Sequence, residues 1–208
     1  MFTITPAAPA DIPAAATVLA EAFEHDTVMA SLTSGSGRPR ARLTELFGAL
    51  MRSGSLHAGR IDLARRDEDG AVLGAAIWEL PNRRTSLLQQ LAELPTFACA
   101  LGWRGLRAAT RLQSRLAAYR PVEPHWYLAQ IGVGAEARGA GVGSALIRSR
   151  LQVIDSAGLP AYLESSNERN RALYSRMGFA AIATVTGIPD ASPTAMWRAP
   201  AVAAPVPV

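Results

Sequence analysis

The 208-residue chain contains no lysine, and all 21 of its basic residues are arginine. A nucleotide P-loop needs a lysine followed by Ser or Thr after its last glycine, so that class is excluded. Cys99 is the only cysteine, which excludes an internal disulfide and a cysteine-based metal cluster. The histidines, His25, His57 and His125, are scattered without metal-ligand spacing, and no metal is expected. No apolar run approaches the length of a membrane span, and the first residues, Met-Phe-Thr-Ile-Thr-Pro, lack a basic stretch leading into an apolar one. The expectation is a cytoplasmic protein with no membrane partner. A formal charge of +4 suits an anionic ligand but is small for a nucleic-acid binder, so no nucleic-acid partner is expected.

What is present centres on Gln130 to Leu151. An apolar run from Trp126 to Val133 leads into a glycine cluster and then into a helix-period segment, which predicts strand, loop and helix. Glycines at 139, 141 and 143 let backbone N–H groups point inward, and the helix start adds its own unpaired N–H groups and positive dipole end. Such a loop suits a phosphate, although a plain turn between strand and helix has the same outline. A dinucleotide fingerprint fails because neither Gly132/Gly134 nor Gly139/Gly141 has the third glycine in place.

Along the rest of the chain, Phe2 to Thr5 reads as an edge strand and Asp11 as the N-cap of a first helix. Glu24 to Ser36 reads as a loop with at most one helical turn, and Arg40 to Arg52 as a helix. His57 to Arg65 and Ala71 to Leu80 form a predicted hairpin around Asp67-Glu68-Asp69-Gly70. Thr85 to Ala118 is expected to be an inserted helical region, interrupted at Pro95, with Trp103, Leu106 and Leu112 facing the core or an acceptor pocket. Arg104, Arg107, Arg111 and Arg115 on that region form a stripe, read as a solvated face ahead of a site for an acidic partner. In the helix after the glycine loop, Val142, Leu146, Val153 and Ala157 are the expected apolar stripe, joined by Ile147 and Ile154. Strands at Ala161 to Ser165, Phe179 to Val185 and Thr194 to Arg198 and a short helix at Glu168 to Arg176 follow, and residues 199 to 208 are expected to be a disordered tail. Strand, helix and strand from 126 to 165 make a parallel βαβ unit in an otherwise hairpin-joined sheet.

A second motif runs from Leu163 to Phe179. Asn167 stands seven residues before Tyr174, and Gly178-Phe179 follow. With Arg138-x-x-Gly141-x-Gly143, this resembles the GNAT superfamily of acetyl-CoA-dependent N-acetyltransferases over about residues 125 to 198. Within it the wording is most similar to the group of puromycin N-acetyltransferase and its relatives, through Trp126-Tyr127-Leu128-Ala129, Leu159 to Ser166, Arg169-Asn170 and Tyr174.

The resemblance implies an α/β fold with a mixed, mainly antiparallel sheet of six to seven strands flanked by helices, the parallel βαβ unit lying at the acetyl-CoA site. One N-acetyltransferase domain would span residues 1–198, with the insertion at 85–118 near the acceptor. It implies acetyl-CoA as co-substrate, its pyrophosphate on Arg138, Gly139, Ala140, Gly141, Val142, Gly143 and Ser144, and its pantetheine arm along main-chain groups of Ile131, Gly132 and Val133. Ala140 departs from the basic residue common there. Asn167 and Asn170 would contact the pantetheine or cap the short helix. Tyr174 matches the family's general acid, and Glu164 is the candidate base, with Glu79 as a rival. Asp26, Trp78, Glu79 and Trp126 are candidate acceptor contacts. The expected reaction is direct acetyl transfer to a primary amine of a small molecule, possible acceptors including aminonucleoside-like or antibiotic-type compounds, by a monomer or homodimer. The alternatives are a protein or peptide amine as acceptor, and an acyl-CoA sensor without catalysis.

Overall fold

The computed structural model describes residues 1–33, 38–56, 59–81 and 87–200. The start of the predicted hairpin at His57, the beginning of the 85–118 insertion and positions 201–208 of the predicted tail lie outside them.

Seven strands form one sheet in the order β1-β2-β3-β4-β5-β7-β6. They are β1 (Phe2–Pro6), β2 (Gly59–Arg66), β3 (Val72–Glu79), β4 (Trp126–Val133), β5 (Ala161–Ser165), β6 (Ala180–Thr184) and β7 (Thr194–Arg198). All neighbours run antiparallel except β4 and β5. Among the described residues six α-helices accompany the sheet: α1 (Ile12–Phe23), α2 (Thr27–Thr33), α3 (Pro39–Leu50), α4 (Leu87–Ala117), α5 (Val142–Ser156) and α6 (Glu168–Arg176), with a π-helical turn at Met51–Ser55 extending α3. This is the mixed α/β sheet expected, with its single parallel pair at β4 and β5.

Side-chain alternation along the strands divides the interior in two. Trp78, Trp126, Leu128, Ala161 and Leu163 pack against Val142, Leu146, Ile147, Leu151 and Ile154 of α5 on one face. On the other, Leu63, Ala75 and Ile77 pack under Leu19 of α1, Phe47 of α3 and Leu101 of α4. Tyr127 and Tyr162 share that second face, beneath Leu112 and Leu116 of α4.

Several local expectations need correction. Val153 is 47% exposed, so the buried arc of α5 centres on Leu146, Ile147, Leu151 and Ile154. Arg150 falls inside that arc and donates from Nε and a terminal nitrogen to both oxygens of buried Asp62, fastening α5 to β2. Glu24 to Asp26 do form a turn, but Thr27–Thr33 is a helix longer than the single turn expected, because the Asp26 carboxylate accepts from the N–H groups of Val28 and Met29 and starts α2. Asp11 does not cap α1 by its side chain; its carboxylate accepts from Ala8 N–H and pairs with Arg65. The insertion breaks at Gly102 (φ 61°) and not at Pro95. Proline's own φ is helical, so Pro95 costs a hydrogen bond without turning the chain, whereas a left-handed residue redirects it. Past that break Gly105 lies so near α2 that an added Cβ would stand 2.6 Å from the Leu32 carbonyl oxygen. Trp103, just beyond the break, is 69% exposed instead of facing the core, and the four arginines of the stripe are exposed. Among the described residues no helix is long and apolar enough to cross a membrane.

Candidate functional site

The glycine loop turns twice through the left-handed region, with φ of 84° at Gly139 and 80° at Gly141, the N-cap of α5. A side chain at either position would be strained, and an added Cβ would meet nothing within 4 Å. Both turns therefore present main chain to open space. Ala145 N–H closes the first helical turn on the Gly141 carbonyl, which leaves Val142, Gly143 and Ser144 N–H without intrahelical acceptors. Three adjacent donors at the positive end of a 15-residue helix suit an anion. Arg138 beside them is exposed, with one guanidinium nitrogen 3.4 Å from the Glu21 carbonyl oxygen. An added Cβ on Gly143 would touch Val133 at 3.6 Å, so the loop abuts the end of β4.

β4 and β5 then part. They pair only at Trp126↔Ala161, Tyr127↔Tyr162 and Leu128↔Leu163, although β4 continues to Val133. On its other edge β4 stays paired with β3, and Ala129 is the extra residue of a bulge between Ile77↔Gln130 and Trp78↔Leu128. A bulge bends a strand and re-aims its edge. Beyond Leu128 the β5-facing edge of β4 is thus offered along a widening cleft. Gly132 is held against α1, where an added Cβ would lie 2.7 Å from Ala22.

The cleft is lined by Gln130 and Ile131 of β4, Glu164 of β5, Asp26 and Met29 at α2, and Tyr174 of α6. Alternation sends Glu164 to the same face as Tyr162, and register lines up Glu79, Tyr127, Tyr162 and Trp197 in one row across four strands. Burial pushes the Glu164 carboxyl above the usual carboxylate range, while the nearby phenols of Tyr127 and Tyr162 and the charge of Arg120 pull it back down. Neither Glu164 Oε1 nor the Tyr162 hydroxyl makes a hydrogen bond of ordinary geometry among the described residues. Glu164 is thus half-buried as a residue, with its Oε1 enclosed and without a hydrogen-bond partner among the described residues. Burial raises the Tyr174 phenol well above its ordinary value, so it stays protonated across the physiological range. Its ring meets Phe179 edge-on, at 6.1 Å between centroids.

Some predicted residues meet here and others do not. Glu164, Tyr174, Asp26, Asn170 and Ile131 line one cleft. Asp26 also accepts from the Ser166 hydroxyl at 2.7 Å, which ties α2 to the end of β5. Asn167 caps α6, accepting from Asn170 N–H at 2.8 Å. Trp78 and Trp126 are core side chains on the α5 face and do not line the cleft, because their strand positions alternate away from it. Glu79 faces a second, polar cavity with Arg120 and His125. Sequence reasoning missed Tyr127, Tyr162, Arg120 and Ser166; the alternation in Tyr162-Leu163-Glu164 was the available signal for the tyrosine beside the carboxylate.

Residues 53–179 match the model of the acetyltransferase (GNAT) family. A solved structure from Corynebacterium glutamicum, described as histone acetyltransferase HPA2 and related acetyltransferase, is 31% identical, with 97% of each chain covered and a TM-score of 0.77. A polyamine N-acetyltransferase from Drosophila melanogaster shares the fold at 13% identity and a TM-score of 0.61, over 95% of this chain and 98% of that one. An uncharacterised N-acetyltransferase from Schizosaccharomyces pombe is 43% identical over 54 residues, which are 26% of this chain and 22% of that protein's length.

Proposed function

The chain belongs to the GNAT acetyltransferase family and is an N-acetyltransferase, and from that premise we propose that it acetylates a primary amine of a small molecule by direct attack in a ternary complex. The observation that carries the reading is Glu164, half-buried with one enclosed oxygen that has no partner among the described residues, in the same cleft as the protonated phenol of Tyr174. Two titratable groups whose surroundings suit opposite proton tasks form an acid/base pair.

Acetyl-CoA, when bound, supplies the acetyl group as an activated thioester. The residues present suit it: left-handed glycines and three unshared N–H groups for the pyrophosphate, and the β4 edge at Ile131, Gly132 and Val133 for an extended arm. Arg138 adds a charge at the loop, and Asn170 a polar side chain in the cleft. Ala140 contributes main chain only, which puts more of the affinity on backbone donors. Glu164 takes a proton from the acceptor ammonium, freeing the lone pair that attacks the carbonyl carbon. A β4 N–H polarises the carbonyl oxygen. Tyr174 gives its hydroxyl proton to the sulfur as the carbon–sulfur bond breaks, and the second proton lost from the former amine nitrogen restores the phenol. The balance is one amide formed, one thioester broken and one proton released to solvent.

A small acceptor is favoured over a protein because Leu112 and Leu116 of α4, Met29 of α2 and Pro193 crowd the cleft from the acceptor side. The wording shared with puromycin N-acetyltransferase and its relatives points to an aminonucleoside-like or antibiotic-type compound. Cys99 is exposed on α4 and does not line the cleft, which fits a route without an acetyl-enzyme. The test is release of free thiol from acetyl-CoA against aminonucleosides, aminoglycosides, polyamines and peptides. Turnover with a small amine supports the proposal, turnover with peptides alone replaces the acceptor class, and tight CoA binding without turnover on any amine makes the protein a sensor.

A further inference from the structure

Arg120, in the segment between α4 and β4, stands outside both sequence motifs. Its guanidinium lies over the Tyr127 ring, 3.7 Å from the centroid, and one terminal nitrogen donates to Glu79 at 3.1 Å. Its Nε is buried without a hydrogen-bond partner among the described residues. Arginine tolerates such a site better than lysine, since a planar, weakly hydrated cation can stack on an aromatic face while its edge bonds a carboxylate. The position is also costly, and Tyr127 forms the wall between the polar cavity that holds Arg120 and the cleft that holds Glu164.

Resting on the reading of Glu164 as the base, we propose that Arg120 is its positioning residue: clamped between Glu79 and the Tyr127 face, it keeps a positive charge beside the buried carboxylate and holds the phenol that faces it. A base buried by apolar neighbours alone would stay protonated and could accept nothing from an ammonium. The groups around Glu164 divide accordingly. Tyr127 from β4, Tyr162 from β5 and Arg120 favour its charge, and Glu79 from β3 opposes it. Asp26 and Tyr174 line the same cleft from α2 and α6. His125 meets the Tyr162 ring edge-on and donates from Nδ1 to the Glu123 carbonyl at 2.5 Å; burial lowers its pKa, so it adds no charge of its own at neutral pH. Glu79 has its own partner in Arg120, so a single guanidinium serves two carboxylates, one exposed and one buried.

The experiment is the pH dependence of kcat/KM for the amine in Arg120→Gln, Arg120→Lys, Glu79→Gln and Glu164→Gln. Arg120→Gln is expected to move the acid limb to higher pH, costing about tenfold at neutral pH and recovering toward the parent rate in alkali, with KM for acetyl-CoA unchanged. Arg120→Lys should restore most of the limb, and Glu79→Gln should move it to lower pH. Should Arg120→Gln fail to fold, Tyr127→Phe, which removes the phenol that Arg120 holds, decides the matter by the same shift of the acid limb to higher pH, and an unmoved limb there overturns the inference. A uniform loss at every pH, or an unmoved limb in both Arg120→Gln and Glu79→Gln, overturns the inference. Full activity in Glu164→Gln overturns instead the assignment of the base, and the two failures are thereby told apart.

Discussion

The two sides of the fork between β4 and β5 are built from different materials. On the α5 side the groups offered to the fork are main chain: the turns at Gly139 and Gly141, the first N–H groups of α5 and the open edge of β4. On the α4 side they are side chains, Glu164 and Asp26 in the cleft with Tyr127 shared between it and the cavity of Arg120, and Tyr174 reaches the same cleft from the core on the α5 face. The first set is fixed by backbone conformation and, apart from the left-handed Gly139 and Gly141, survives many changes of residue type. The second draws on separate segments of the chain and can be altered one residue at a time. A cofactor common to a family suits the first construction, and an acceptor that varies among relatives suits the second.

Four measurements can break or sharpen this contrast. The largest effect is expected from Glu164→Gln, which should lower kcat about 10²–10⁴-fold while leaving the Kd for CoA near the parent value, read by steady-state kinetics and calorimetry. Tyr174→Phe should follow, at about 10²-fold in kcat, and a CoA affinity weakened in proportion would move Tyr174 to the binding side of the fork. Gly141→Ala forces a left-handed alanine at a cost of about 1–2 kcal/mol, so KM for acetyl-CoA should rise about 5–30-fold with kcat little changed. Loss of kcat alone would show that the loop does more than bind.

The smallest effect concerns stability. Because burial raises the Glu164 carboxyl in the folded protein, the folded state holds that proton more tightly than the unfolded chain. Stability from this group is full below the ordinary carboxylate value and is lost as pH rises through the folded one. Glu164→Gln should therefore melt about 2–4 °C higher than the parent at neutral pH and converge with it in acid, read by calorimetric Tm. An unchanged difference across pH would mean that the carboxylate is less confined than its surroundings suggest.

The contrast also explains what the sequence disclosed. The run from β4 through α6 was legible because its constraints are local: glycine where φ is positive, an Asn that caps α6, and apolar runs of strand length. Strands β4, β5 and β7 begin and end where composition placed them. The acceptor side was not legible in this way. α2 depends on the Asp26 cap and on a close approach to Gly105, 70 or more residues away in sequence. The row Glu79, Tyr127, Tyr162, Trp197 exists only through strand register, which no window of sequence contains. Trp78 and Trp126 were chosen for residue type, and alternation put them in the core instead.

The three residue pairs that join β4 to β5 have one more consequence. Among the described residues they are the only ladder between a four-stranded half-sheet, β1 to β4, and a three-stranded one, β5 to β7. On the proposed reading, an extended arm hydrogen-bonded to the open edge of β4 would lie along that seam as a splice, a structural member as much as a reagent. Saturation at about 100 times Kd would add about 2.7 kcal/mol to folding. The lifetime of the enzyme would then follow the supply of its own acyl donor.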